Sequence, residues 1–405
     1  MAAVASRCAQ GRTAATLGVL IAVALVATVA WVLPRPAGAA GPTSCSPEFQ
    51  IDETLPSGAR WRMCWEFRAR EGVVLRNVSY TPPGGTAVKV LGAMYLAQIH
   101  VPYDDNAVRL HLVSDSGLGN AVVDLDPADC PGPRNRLHSL GGKEVLCQRV
   151  APIGYAYKSY GEQRQASSLR LFSVSGFGPE NFVVAWNFDE DGTIRPEVGA
   201  TGKLERYGGG QATGWNVGRG EFAIAHVHNY HWRLDFDLGG PANDQVQELA
   251  ASMSGDRQSF STTRVPFTTE AARRVLPGSF RSWRVRDTVL TNADGRSISY
   301  ELVPNTDSVF RGPSYEPFTQ SQMYVTRRNS CEVFASHNPT LGGRCGSSVA
   351  AFANGGTLRG NADPVVWYNT SSRHLPRDEE ERHTPIQWSG FSMIPRDLTN
   401  TYPIP

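Results

Sequence analysis

Residues 226–237 read HVHNYHWRLDFD. The stretch is dense in aromatic residues and free of Gly and Pro, so it reads as a β-strand. Side chains of an extended strand alternate between its two faces. One face then carries His226, His228, Tyr230, Trp232, Leu234 and Phe236, and the other Asn229, His231, Arg233, Asp235 and Asp237. Two imidazoles on one face can grip a transition-metal ion. Two carboxylates on the other suit a hard cation such as Ca²⁺. Two plainer readings stand beside these: hydrogen-bonded core histidines and a solvated acidic face.

Residues 361–375, NADPVVWYNTSSRHL, offer a third ligand for each pair. Asp363 comes first, then the apolar Val365, Val366 and Trp367, then His374. A strand lying beside 226–237 would bring His374 to the histidines and Asp363 to the aspartates at once.

Most of the remaining chain also reads as strands, among them VVLRNVSY, LRLFSV and FVVAWNF, with turn signals at PPGG (82–85), DEDG (189–192) and NADG (292–295). Two stretches look helical: Asn243 to Met253, and Thr269 to Leu276, where Thr269 could cap and Pro277-Gly278 stops the run. With no internal repeat and no long disordered linker, the expected fold is mainly β, one large antiparallel β-sandwich. The chain has 405 residues, 41% of them hydrophobic, and a net charge of +1. That is enough apolar material for a substantial core, and the near-zero charge gives no electrostatic case for a nucleic-acid partner.

Arg7 and Arg12 precede an apolar run at residues 17–33, followed by PRPAGAAG with Ala37 and Ala39 in an A-x-A arrangement. The pattern reads as a signal peptide over residues 1–40, which leaves 41–405 as one domain of a secreted, extracellular protein. The alternative is an uncleaved membrane anchor over 17–33. Apart from Cys8, the cysteines form three sequence-near pairs: Cys45 and Cys64, Cys130 and Cys147, Cys331 and Cys345. In an exported chain an even count reads as disulfides, here paired by proximity, with buried free thiols as the alternative.

The opening stretch resembles the copper amine oxidase catalytic domain, which carries His-x-His-x5-Arg-Leu-Asp-x-Asp. His226, His228, Arg233, Leu234, Asp235 and Asp237 fit that spacing throughout. The resemblance implies the family's β-supersandwich, copper on His226, His228 and His374, and a calcium-type ion on Asp235, Asp237, Asp363 and the carbonyls of Phe236 and Pro364. It extends over about residues 50–400 through WEFRAREGVVLRNVSY (65–80), AQIHVPYDD (97–105), SDSGLG (114–119) and FDEDGTIRPEVGATGKL (188–204). It places Tyr103 at the cofactor-contacting tyrosine and Asp115 at the catalytic base, two residues closer together than the pattern expects. Cys130 and Cys147 fall where many members have a disulfide. A homodimer and a small-molecule primary amine substrate are further implications.

One residue departs from the pattern. The family makes topaquinone from its own tyrosine, in Thr-x-x-Asn-Tyr-Asp/Glu, six residues before a tryptophan that precedes Asp-Gly-Thr-Ile. Here Trp186 and the turn Asp191-Gly192-Thr193-Ile194 are present. Counting back puts Gly176 at the Thr position, Pro179 at the Asn position and Glu180 at the Tyr position. Glu180 has no ring to oxidise, so the expectation is a copper- and calcium-binding protein without topaquinone, with Glu180 as a carboxylate ligand. Two alternatives remain: an active amine oxidase with a rearranged cofactor, and a metal-stabilised extracellular interaction domain.

Overall fold

A computed structural model describes residues 45–404 except 105–108, 205–213, 219–220, 257, 306–308, 338–344 and 361. The signal peptide read over 1–40, and the anchor over 17–33, lie outside the described residues. Among the described residues no helix is long and apolar enough to cross a membrane.

Two large antiparallel sheets make the fold. A nine-stranded sheet includes the Val88–Pro102, His226–Phe236 and Pro364–His374 strands side by side at its centre. A ten-stranded sheet includes Glu180–Asp189 and Ile194–Gly202, with Thr384–Arg396 next in order. The sheets share one apolar core. Trp232 of the histidine strand meets Trp186 of the facing sheet edge-on at 6.1 Å, and Trp61 meets Phe188 at 5.0 Å. This is the sandwich expected from the alternating pattern.

Both helical expectations are corrected. Asn243 to Met253 is a strand over Asp244–Met253, paired on both sides with Phe260–Pro266 and Ser282–Thr291. Thr269 to Leu276 holds a short strand, Ala271–Arg273. The Gln, Glu, Leu and Ala of the first segment favour a helix locally, but pairing on two edges overrides that weak preference.

The three expected cysteine pairs are disulfides, with Cα–Cα separations of 6.0, 5.7 and 5.9 Å. Such bonds fit an oxidising compartment.

Candidate metal centre

Register builds the centre. The His226–Phe236 strand pairs antiparallel with Pro364–His374, so His226 stands opposite His374 and Asp235 opposite Val365. One neighbour thus delivers His374 to one end and Asp363 to the other. The His226 and His228 ring centres lie 4.6 Å apart, those of His226 and His374 4.9 Å apart, and all three residues are buried.

Glu180 reaches this group from the facing sheet. Phe177 pairs with Glu180 across a two-residue turn of Gly178 and Pro179, and Gly178 has φ +60°. Glycine at the first turn position followed by proline is what a tight hairpin of this kind accepts. Gly202 lies opposite Glu180, where a Cβ would collide with the Pro179 carbonyl, so the hairpin packs close to its neighbour. Glu180 Oε1 lies 2.8 Å from His226 Nε2, and Oε2 lies 3.4 Å from His228 Nε2.

Burial pushes the Glu180 carboxyl up, but the His228 and His226 imidazoles outweigh it and hold the group below its ordinary range. Burial pushes His228 down, against the pull of Glu180. His226 Nδ1 lies 3.3 Å from the Ile224 carbonyl. A proton on Nδ1 leaves a lone pair at Nε2 facing an anionic oxygen, and that contact is favourable only with a proton or cation between. A divalent ion satisfies it directly.

His374 is oriented differently. Its Nε2 is 2.7 Å from Glu380 Oε2, while its Nδ1 is buried without a hydrogen-bond partner. A carboxylate on one ring nitrogen fixes the tautomer and turns the other nitrogen into a donor for a metal. Glu380 is itself buried and takes Arg377 Nε at 3.1 Å. Donor atoms of Glu180, His226 and His228 all lie within 4.8 Å of one another, and the His374 ring faces that of His226. Imidazole nitrogens with one carboxylate suit copper. Glu380→Gln should weaken copper binding by about 10–100-fold, because it loosens His374 without removing a ligand. Chelator-competition titration reads this, and an unchanged affinity would exclude the orienting role of Glu380.

At the other end of the strand, carboxylate oxygens of Asp235, Asp237 and Asp363 lie within 4.8 Å of one another. Arg328 Nε reaches Asp235 at 3.0 Å and Lys89 Nζ reaches Asp237 at 2.6 Å. Asp235 Oδ1 and Asp363 Oδ1 stay buried without a partner. Burial, then the charges of Asp235 and Asp237, push Asp363 up to about 7. Phe236 ends one strand and Pro364 begins the other, so both expected carbonyl positions flank the aspartates. Unsatisfied hard oxygens fit a calcium-type ion. Asp244 also belongs to this neighbourhood: its carboxyl is pushed well up by burial, then by Asp287, Asp237 and Asp363.

Tyr103 bridges to His226, and its ring centre lies 5.2 Å from the imidazole. Asp115 is placed elsewhere. It sits in a single π-helical turn, Leu112–Ser116, with its side chain 56% exposed. Its carboxylate meets Ser114 Oγ at 3.1 Å and His111 Nδ1 at 4.0 Å, and no contact among the described residues joins it to Glu180.

Residues 155–404 match the family model of the copper amine oxidase enzyme domain. The chain belongs to the copper amine oxidase family. It is 24% identical to a primary amine oxidase of Pisum sativum over 88% of this chain and 60% of that protein. It is 25% identical to one of Klebsiella aerogenes over 80% of this chain and 50% of that protein. The chain thus spans about 50–60% of the length of these curated relatives. Among solved structures, a copper-containing benzylamine oxidase from Hansenula polymorpha superposes with a TM-score of 0.76 at 18% identity, covering 90% of this chain and 63% of the other. The structural likeness shows the copper amine oxidase fold.

Proposed function

We propose that this member of the family is an exported copper protein that does not carry out topaquinone-dependent amine oxidation. Copper is held by His226, His228 and His374, with Glu180 as a fourth, anionic ligand. A calcium-type ion holds Asp235, Asp237 and Asp363 together away from the copper. The observation that carries the reading is the Glu180 carboxylate seated against His226 and His228. A carboxylate there can ligate or neutralise a metal, but it supplies no ring from which a quinone carbonyl could form. We also place the mature domain at residues 41–405, outside the cytoplasm, as a homodimer.

The test is copper loading followed by a redox-cycling quinone stain and by peroxide measurement with benzylamine, tyramine and methylamine. The expected result is bound copper, no stain and no peroxide. One observation favours an active enzyme with a rearranged cofactor: the Tyr103 ring stands beside His226. A positive stain, with the modified residue mapped to Tyr103 or another aromatic by mass spectrometry, would overturn the main reading in favour of that one.

A further inference from the structure

The four copper donors come from two sheets. His226, His228 and His374 belong to the nine-stranded sheet, whereas Glu180 begins the Glu180–Asp189 strand of the ten-stranded one. The Glu180 hairpin is anchored from behind: the Lys203 N–H donates to the Pro179 carbonyl at 2.9 Å, and the neighbouring strand pairs with Glu180 through Gly202. An ion shared by the four side chains therefore ties one sheet to the other at the rim of the sandwich.

Little space remains around these side chains. Beyond them the cavity is walled by Ala200, Thr201, Thr384 and Gln387, and its volume is about 10 Å³. That is the lower limit for a single water molecule. Sheet pairing holds the wall in place, with Ala200 opposite Gln387 and Gly202 opposite Thr384, and Thr201 Oγ1 donates to the Thr384 carbonyl at 2.7 Å. Aromatic rings flank the histidines. Tyr103 stands 5.2 Å from His226, Phe182 meets His228 edge-on at 5.2 Å, and Tyr230 stacks on His228 at 5.8 Å. The three histidines are buried, and the Glu180 side chain is 12% exposed.

Structural metal sites are closed by four protein ligands, as zinc sites show, whereas catalytic ones keep a position for water or substrate. We propose, on the copper assignment made above, that this centre is closed and structural: Glu180 fills the exchangeable position, and the ion cross-links the two sheets at the Phe177–Glu180 hairpin. A cavity of this size leaves no room beside the ion for O₂, peroxide or an amine. Glu180 is the one donor of the four on the facing sheet, so shortening it opens a coordination position and cuts the link at once.

The copper-loaded full chain is titrated with azide and followed by near-ultraviolet absorption and EPR. Its backbone amide exchange is compared with that of the copper-free chain. The natural protein is expected to show no azide-to-copper charge-transfer band and an unchanged EPR spectrum. Copper should slow exchange across the Phe177–Glu180 hairpin as well as in the histidine strands. In Glu180→Ala, which keeps the three imidazoles, azide binds, the EPR spectrum shifts, and copper no longer slows exchange in the hairpin. If Glu180→Ala does not fold, Glu180→Ser replaces it, and the azide response of the natural protein decides by itself. An azide band in the natural protein, or copper-dependent protection confined to the histidine strands, would overturn the closed cross-link and leave copper on the three histidines standing. A natural protein that takes up no copper would instead sink the metal assignment on which the proposal rests.

Discussion

In the His226→Ala, His228→Ala variant the buried copper is lost, with a fall in affinity of about 10⁴-fold. Apparent binding free energies of about 10–16 kcal/mol for four-ligand metal sites amount to about 3 kcal/mol per donor, and two donors go at once. His374, held by Glu380 through Nε2, is left with Glu180 alone. Glu180, half-buried and 2.8 Å from the nearer imidazole, also loses its partners. It must then take up a proton or destabilise the metal-free fold, by about 3–5 kcal/mol in the manner of a broken buried ion pair. Chelator-competition titration and denaturant unfolding of the metal-free protein read the two effects separately. Glu180→Gln distinguishes ligand from neighbour, because the shape survives while the anionic donor is lost. Altered EPR hyperfine splitting, with the weakening of about 100-fold that loss of one donor at about 3 kcal/mol implies, marks a ligand; an unchanged spectrum and affinity would remove Glu180 from the copper sphere.

Period-two alternation made the two faces of the 226–237 strand legible, because a strand buried in a sheet has no freedom to turn its side chains. The partner strand was legible too, since one antiparallel neighbour had to bring His374 and Asp363 to opposite ends. Residues supplied by long-range packing were not. Lys89 and Arg328 reach the aspartates from separate strands and loops, and nothing local marks them. Asp244 was hidden by a helix-like composition that pairing on both edges overrode. Glu380 was in view, in the acid-rich run after His374, but its role depends on which ring nitrogen it holds.

Without a bound cation the contribution of Asp363 to stability should fall as pH rises from about 4 to about 7, and calcium should abolish that loss. Burial, and then the charges of Asp235 and Asp237, push the Asp363 carboxyl from the ordinary aspartate range, about 3.9, up to about 7 in the folded chain. Between those values the native state binds more protons than the unfolded state, so stability falls with rising pH. The contribution is fully present below the unfolded value and gone above the folded one. Asp237 is raised in the same direction by burial, with Lys89 opposing. The Asp363 side chain is 20% exposed, so solvent screening limits the net effect to about 2 kcal/mol. A cation replaces the missing protons and adds about 2.7 kcal/mol at a hundredfold excess over its Kd, which for a chain of this size raises Tm by about 3–5 °C. Asp363→Asn removes this one contribution from the pH profile of the cation-free protein while lowering its response to Ca²⁺. Thermal unfolding at pH 4.5 and 7.5, with Ca²⁺ and with chelator, measures all four corners. Equal Tm values with and without Ca²⁺ at pH 7.5 would leave Arg328, Arg233 and Lys89 as the counter-charges of a plain acidic cluster.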